Sequence, residues 1–252
     1  MQDYLAQLNE AQRQAVQHKE GPLMIIAGAG SGKTRVITYR IAYLMEQGID
    51  PFNILSLTFT NKAAREMRER IEAIVGTEAR NIRMGTFHSV FAKILRIEGH
   101  KLGYPAHFTI YDTDDSKSLV KTLVKEEALD PKLYKPNIVY NRISYCKNNF
   151  ISPKAYNEDE QQQAEDIAAG RPKLGRLYEL YTKRCFRAGA MDFDDLLLNT
   201  YRLFEQFPDV LNKYQQKFKY VLVDEYQDTN YVQYLIVKKL AAVNRNICIV
   251  GD

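Results

Sequence analysis

Three cysteines in 252 residues, Cys146, Cys185 and Cys248, stand far apart and in no CxxC arrangement, so the sequence offers neither a disulfide framework nor a zinc site. Reduced, buried thiols in a cytoplasmic protein are the simpler reading. Long apolar runs are missing too: none approaches the roughly 18 residues that a membrane span requires, and the segment from Met1 to Glu10 is polar with no signal-peptide core. Charge of one sign is in small excess. Lys and Arg number 35 against 31 Asp and Glu, a net +4, which permits a polyanionic partner without demanding one. What is present is ordinary for a folded chain: 45% hydrophobic and 26% charged residues leave no room for extensive disorder. The length suits one large domain or a domain carrying a sizeable insertion, and two structural units are expected.

Five short apolar runs read as buried strands: Leu23–Ala27, Ile54–Thr58, Ile82–Thr86, Tyr220–Val223 and Ile247–Val250. Each ends in small, polar or charged residues, so their tails should form one functional edge. Between the first runs, Ile37, Ile41, Leu44 and Met45 share a helical face, as do Ala63, Ala64, Met67, Ile71 and Ile74. This alternation implies a parallel α/β sheet flanked by helices. About 130 residues then separate the third run from the fourth, far more than one crossover helix needs. An insertion is drawn at 106–188, dividing the chain into 1–105, 106–188 and 189–252. Its pattern is mostly α-helical, over Ser116–Glu127, Asn137–Asn148 and Leu174–Ala188, with a very polar stretch at Tyr156–Arg171. Helices near Phe193–Gln206 and Asp209–Phe218 return the chain to the sheet.

Ala27-Gly28-Ala29-Gly30-Ser31-Gly32-Lys33-Thr34 follows an apolar strand and opens an amphipathic helix, the context a phosphate loop needs. Glycines let backbone amides turn onto phosphates, and the helix N-terminus adds partial positive charge. Lys33 can reach the β- and γ-phosphates, and the Thr34 hydroxyl can coordinate Mg2+. Ala27 replaces the usual glycine with another small residue. Far along the chain, Tyr220-Val221-Leu222-Val223-Asp224-Glu225 is an apolar strand ending in adjacent carboxylates. Such a pair is often only a solvated strand end. Beside a phosphate loop it reads as Asp224 on the metal and Glu225 on the attacking water.

The run Asp224-Glu225-Tyr226-Gln227-Asp228-Thr229-Asn230, together with 27–34, resembles motifs II and I of superfamily 1 helicases of the UvrD/PcrA/Rep group. Leu8-Asn9-Glu10-Ala11-Gln12 is similar to the Q motif of that family, which implies that Gln12 reads adenine. Thr58-Phe59-Thr60-Asn61-Lys62-Ala63-Ala64 is similar to motif Ia and Gly85-Thr86-Phe87-His88-Ser89 to motif Ib. Asp192-Phe193-Asp194-Asp195-Leu196-Leu197 matches a further segment of the group, and Ile249-Val250-Gly251-Asp252 resembles the start of motif III, whose continuation couples hydrolysis to DNA contact.

The resemblance implies a P-loop NTPase (RecA-like) fold with an inserted helical subdomain, and ATP and Mg2+ as cofactors. It places Gln12, residues 27–34 and Arg35 at the nucleotide, Thr34 and Asp224 at the metal, and Lys33, Asp224, Glu225 and Gln227 in catalysis. Phe59 would contact a base, with Thr60, Asn61, Lys62, Thr86, Phe87, His88 and Ser89 near the DNA backbone. Aromatic faces stack on any base while Lys and hydroxyl groups hold phosphates, which suits sequence-tolerant binding. The implied partners are single-stranded and 3′-tailed duplex DNA. The implied activity is 3′-to-5′ translocation and unwinding in repair or replication. A second RecA-like domain supplies arginines to the family's active site; lacking it, this chain is expected to be a monomer with weak or no turnover. Two alternatives remain: a nucleotide- and DNA-binding module without turnover, and a subunit of the AddA/RecB helicase–nuclease branch. A transport ATPase would need a Leu-Ser-Gly-Gly-Gln element, which the sequence lacks.

Overall fold

The computed structural model describes residues 4–28 and 30–252. Contacts divide the chain into two compact units, one running to Phe91 and resuming at Phe204, the other spanning Ala92–Leu203. The second unit takes in more chain at both ends than 106–188, because the chain passes between units inside two helices instead of in loops. Among the described residues, no helix is long and apolar enough to cross a membrane.

The first unit is α/β. Its strands are β1 (Leu23–Ile26), β2 (Ile54–Thr58), β3 (Arg83–Thr86), β6 (Tyr220–Val223) and β7 (Ile247–Gly251). They form one parallel sheet in the order β1-β7-β6-β2-β3. The helices α1 (Glu10–Gln17), α2 (Lys33–Glu46) and α3 (Asn61–Val75) belong here, as do α11 (Pro208–Lys217) and α12 (Tyr231–Ala241). Ile37, Ile41 and Leu44 of α2 and Met67 and Ile71 of α3 pack with Ile54, Leu222, Cys248 and Val250. Side chains alternate along a strand, so Val221 and Val223 face the other way, where α12 packs on β6. Local chemistry starts the helices: Asn9 and Gln12 form a capping box on α1, and the Thr60 hydroxyl accepts from the Ala63 amide at 3.0 Å.

One expectation fails in this unit. The run at Leu23–Ala27 reads as fully buried, yet β1 is an edge strand with Met24 63% and Ile26 73% exposed. Leu23 and Ile25 reach the core on the α2 side, while the opposite face of β1 is left open. An apolar run does not reveal which of its faces another element covers.

The second unit holds α5 (Thr113–Glu126), α6 (Pro136–Asn148), α7 (Pro153–Glu158), α8 (Glu160–Ala168) and α9 (Leu174–Arg187). Val120, Leu123, Val139, Ile143, Leu177 and Tyr181 lie in its core. It also contains a short parallel pair unannounced by sequence pattern, β4 (Thr109–Tyr111) with β5 (Ala190–Asp192). The chain enters this unit along α4 (Phe87–Glu98) and leaves it along α10 (Phe193–Gln206). At the start of α10, the Asp192 carboxylate accepts from the Asp195 amide at 2.8 Å. The buried Lys147 ammonium donates to Asp192 at 2.7 Å and lies 2.8 Å from Asp195, and the Tyr181 hydroxyl donates to Asp192 at 2.8 Å. Burial by itself would lower the Lys147 pKa; the two carboxylates reverse that and hold it well above its ordinary value. The Asp192–Asp195 segment thus has a packing role inside its own unit.

Candidate functional site at the strand tips

All five strands of the first unit run parallel, so their C-terminal tips share one edge, the place where open α/β sheets bind ligands. From the tip of β1 the backbone continues beside β7, Ala27 N–H donating to the Gly251 carbonyl at 3.1 Å. It then turns back on itself, Ser31 N–H donating to the Gly28 carbonyl at 3.2 Å. Gly30 (φ 78°) and Gly32 (φ 88°) take left-handed conformations that only glycine adopts without strain, and α2 begins at the next residue. Ala29 lies outside the described residues. Thr34 is half-buried in the first turn of α2, and Arg35 is exposed.

Lys33 is only 9% exposed, and its ammonium donates to the carboxylate of Asp252, just past the tip of β7. Asp252 N–H donates to Gln227 Oε1 at 3.2 Å, and Gln227 Nε2 donates to Glu225 Oε2 at 2.7 Å. Glu225 N–H in turn donates to Asp224 Oδ1 at 3.0 Å. Lys33, Asp252, Gln227, Glu225 and Asp224 therefore form one continuous polar chain. Asp224 N–H donates to the Leu57 carbonyl at 3.0 Å, extending the β2–β6 ladder and fixing the carboxylate at the edge. Burial raises the Asp224 pKa, and the neighbouring Glu225 charge adds to that; the Glu225 amide and Lys33 pull the other way. Glu225 sits at φ 50°, a left-handed conformation that costs a non-glycine residue about 1–3 kcal/mol and clusters at functional sites.

Gln12 reaches this loop. Its Nε2 donates to the Ser31 carbonyl at 2.9 Å, while its Oε1 accepts from the Asn9 amide at 3.1 Å. Both ends of the amide are engaged here, so contact with a base would require one of these bonds to be exchanged.

At the other end of the edge, the register pairs Thr58 with Thr86, which sets the segments after β2 and β3 side by side. Phe59 is half-buried, its ring 5.5 Å from that of Phe87. Phe87 is 1% exposed and also packs on Phe91, 6.0 Å away. A buried ring cannot stack on a base, so Phe87 backs Phe59 from the core. Asn61 and Lys62 are exposed on the first turn of α3, whereas the Thr60 hydroxyl is occupied in capping it. His88 and Ser89 are half-buried. Ser89 Oγ donates to the Thr86 carbonyl at 3.0 Å, and Thr86 Oγ1 accepts from the Ser89 amide at 3.2 Å. A Cβ on Gly85, in β3, would lie 2.5 Å from Ser89 Oγ, so a larger residue there would push the Ser89 hydroxyl off the Thr86 carbonyl.

The UvrD/REP helicase N-terminal domain family matches residues 8–252. The chain belongs to that family. It is 47% identical over its whole length to "ATP-dependent DNA helicase PcrA" of Staphylococcus aureus (strain Mu50), and 48% identical over 97% of its length to the protein so named in Staphylococcus epidermidis (strain ATCC 12228). The chain spans 34% and 33% of those relatives. Membership accords with the parallel α/β fold. Sequence alone marks the loop, the acidic pair and Gln227, and marks Asp252 through the resemblance to motif III and the strand tail at Ile247–Val250, but not its contact with Lys33.

Proposed function

We propose that this chain is the nucleotide-binding N-terminal part of an ATP-dependent DNA helicase. In this reading MgATP is taken at the tips of β1, β6 and β7, and single-stranded DNA at the tips of β2 and β3. The longer protein translocates 3′ to 5′ on single strands and unwinds 3′-tailed duplex in repair or replication, and the unwinding stroke belongs to parts beyond this sequence. The single observation that supports the reading most is the convergence, on one sheet edge, of a nearly buried Lys33 at a helix N-terminus with the Asp224–Glu225 pair.

The residues fit the implied nucleotide on two counts. Among the described residues, and chain neighbours aside, no atom lies within 4 Å of where a Cβ would sit on Gly28 or Gly30, which leaves room for phosphates, and Lys33 already holds an anionic group. MgATP, when bound, supplies the transferable phosphoryl group and the metal. Lys33 would neutralise phosphate charge, and the Thr34 hydroxyl and Asp224 would hold the metal. Glu225 would accept the proton of the attacking water, with Gln227 donating to its Oε2. Phe59 offers a ring face to a base, and Asn61 and Lys62 offer groups to phosphates.

Calorimetry with MgADP tests the cradle. Lys33→Ala should weaken binding by at least about tenfold, a loss of roughly 1.4 kcal/mol; equal affinity would remove the cradle from consideration. Turnover by this chain should be slow with or without single-stranded DNA, since an arginine supplied from elsewhere in such motors is worth about a thousandfold or more. DNA-stimulated turnover at full motor speed would contradict that.

A further inference from the structure

We propose that Asp252 is a resting-state latch: its carboxylate occupies Lys33 when no phosphate is bound and gives way when phosphate arrives. The inference rests on the phosphate-cradle reading of 27–34 and deepens it. Lys33 is 9% exposed and paired with Asp252, so the ammonium is fixed in the fold while the anion beside it can be exchanged for another. A nearly buried ammonium needs an anion beside it. Exchange of carboxylate for phosphate keeps one there in both states, so the loop need not hold an unpaired charge before nucleotide arrives.

The backbone of the same residue is anchored separately. Asp252 N–H donates to Gln227 Oε1, and the other end of that amide donates to Glu225 Oε2. Gly251 makes this closeness possible, since a Cβ there would lie 2.7 Å from Gln227 Oε1. Rotating the Asp252 carboxylate off Lys33 leaves its backbone N–H on Gln227, so the strand tip keeps its place while the anion beside Lys33 is exchanged. The exchange needs only a two-position side chain, not a large motion.

The latch competes with phosphate, so removing it should tighten anion binding, an outcome that a merely structural role would not produce. Metal-free calorimetry with inorganic pyrophosphate should give Asp252→Asn an affinity about three- to tenfold above that of the unaltered protein. Unchanged or weaker binding overturns the latch. A second readout needs no ligand: acylation of Lys33 by an amine-reactive reagent should run several-fold faster in Asp252→Asn, with Asp252→Glu restoring protection, and equal rates again overturn it. In the unaltered protein, the carboxyl carbon resonance of Asp252 should shift as pyrophosphate saturates; no shift counts against displacement even if the variants fail to fold. Absence of any anion binding by the unaltered protein would sink the cradle reading instead, and the acylation rates would still decide the latch.

Discussion

Lys33 and Lys147 are both nearly lost from solvent, and for opposite reasons. Lys147, in the second unit, sits between two buried carboxylates and 5.0 Å from the ring centre of Tyr181, with every partner supplied by its own unit. Lys33, in the first, is paired with Asp252 just past the tip of β7 and opens the helix that follows the glycine loop. A charge enclosed by carboxylates of its own unit is a structural commitment. A charge held at a strand tip beside a glycine loop is what the proposed phosphate cradle needs.

The largest test of that contrast is to remove each ammonium. Lys147→Ala leaves Asp192 and Asp195 buried without a counter-charge, and breaking such a pair costs about 3–5 kcal/mol. Denaturant unfolding should show a loss of this size. Lys33→Ala should cost less than about 1 kcal/mol, as expected for a pair with an exposed member, while weakening nucleotide binding at least about tenfold. Similar stability losses for the two variants would erase the distinction.

Phe87 and Phe59 repeat the contrast inside one unit. Truncating a buried Phe to Ala typically costs about 3–5 kcal/mol, so Phe87→Ala should lower the unfolding midpoint sharply. Phe59→Ala should spare stability by comparison and weaken binding of a fluorescent single-stranded oligonucleotide by about 1–3 kcal/mol, the usual worth of one stacked base. Loss of DNA affinity from Phe87→Ala under conditions where it remains folded, with none from Phe59→Ala, would reverse the assignment.

Alkaline pH should sharpen the comparison further. Burial raises Cys146 to about 11 and Cys185, Tyr104 and Tyr140 to about 12, all in the second unit. A group whose folded value lies above its unfolded one contributes stability that is whole below the unfolded value and fades as pH rises through the folded one. Unfolded Cys and Tyr titrate near about 8.5 and 10, so the second unit should weaken between those values and about pH 12. Lys147, raised by its carboxylates, adds to the same trend. In the first unit, burial raises Cys248 to about 11 and also lifts Tyr220. Hydrogen exchange followed by mass spectrometry should therefore show α6 and α9 opening at lower pH than β2 and β6; the reverse order would mean that these buried groups do not govern alkaline stability.

The same distinction explains what could be read from the chain. Ile54–Thr58 and Tyr220–Val223 are strands over the residues their apolar runs mark, because a central strand is covered on both faces and its composition alone reveals it. Edge strand β1 has the same composition with one face open, and β4 and β5, three residues each, are too short to carry a pattern. The phosphate loop is legible because glycine, lysine and threonine each have a local task at fixed spacing. The latch on Lys33 is not, since Asp252 meets it only through the pairing of β7 with β1. Lys147 was invisible for a related reason: a lysine on an amphipathic helix looks solvated until partners from β5 and α10 are placed beside it.

The smallest expected effect is the most specific to the edge. Gly251→Ala adds one methyl group where φ is not left-handed, so the backbone tolerates it, but the new Cβ would lie 2.7 Å from Gln227 Oε1. The flexible amide should yield before the strand does, giving up its bonds to Asp252 and Glu225. A net hydrogen bond is worth about 0.5–1.5 kcal/mol, so losing these two should lower stability by no more than about twice that. The Gln227 side-chain amide resonances should move toward their solvent-exposed positions, while those of β2 and β6 stay in place. If the Gln227 signals are unmoved, the amide is held by something other than its fit against Gly251.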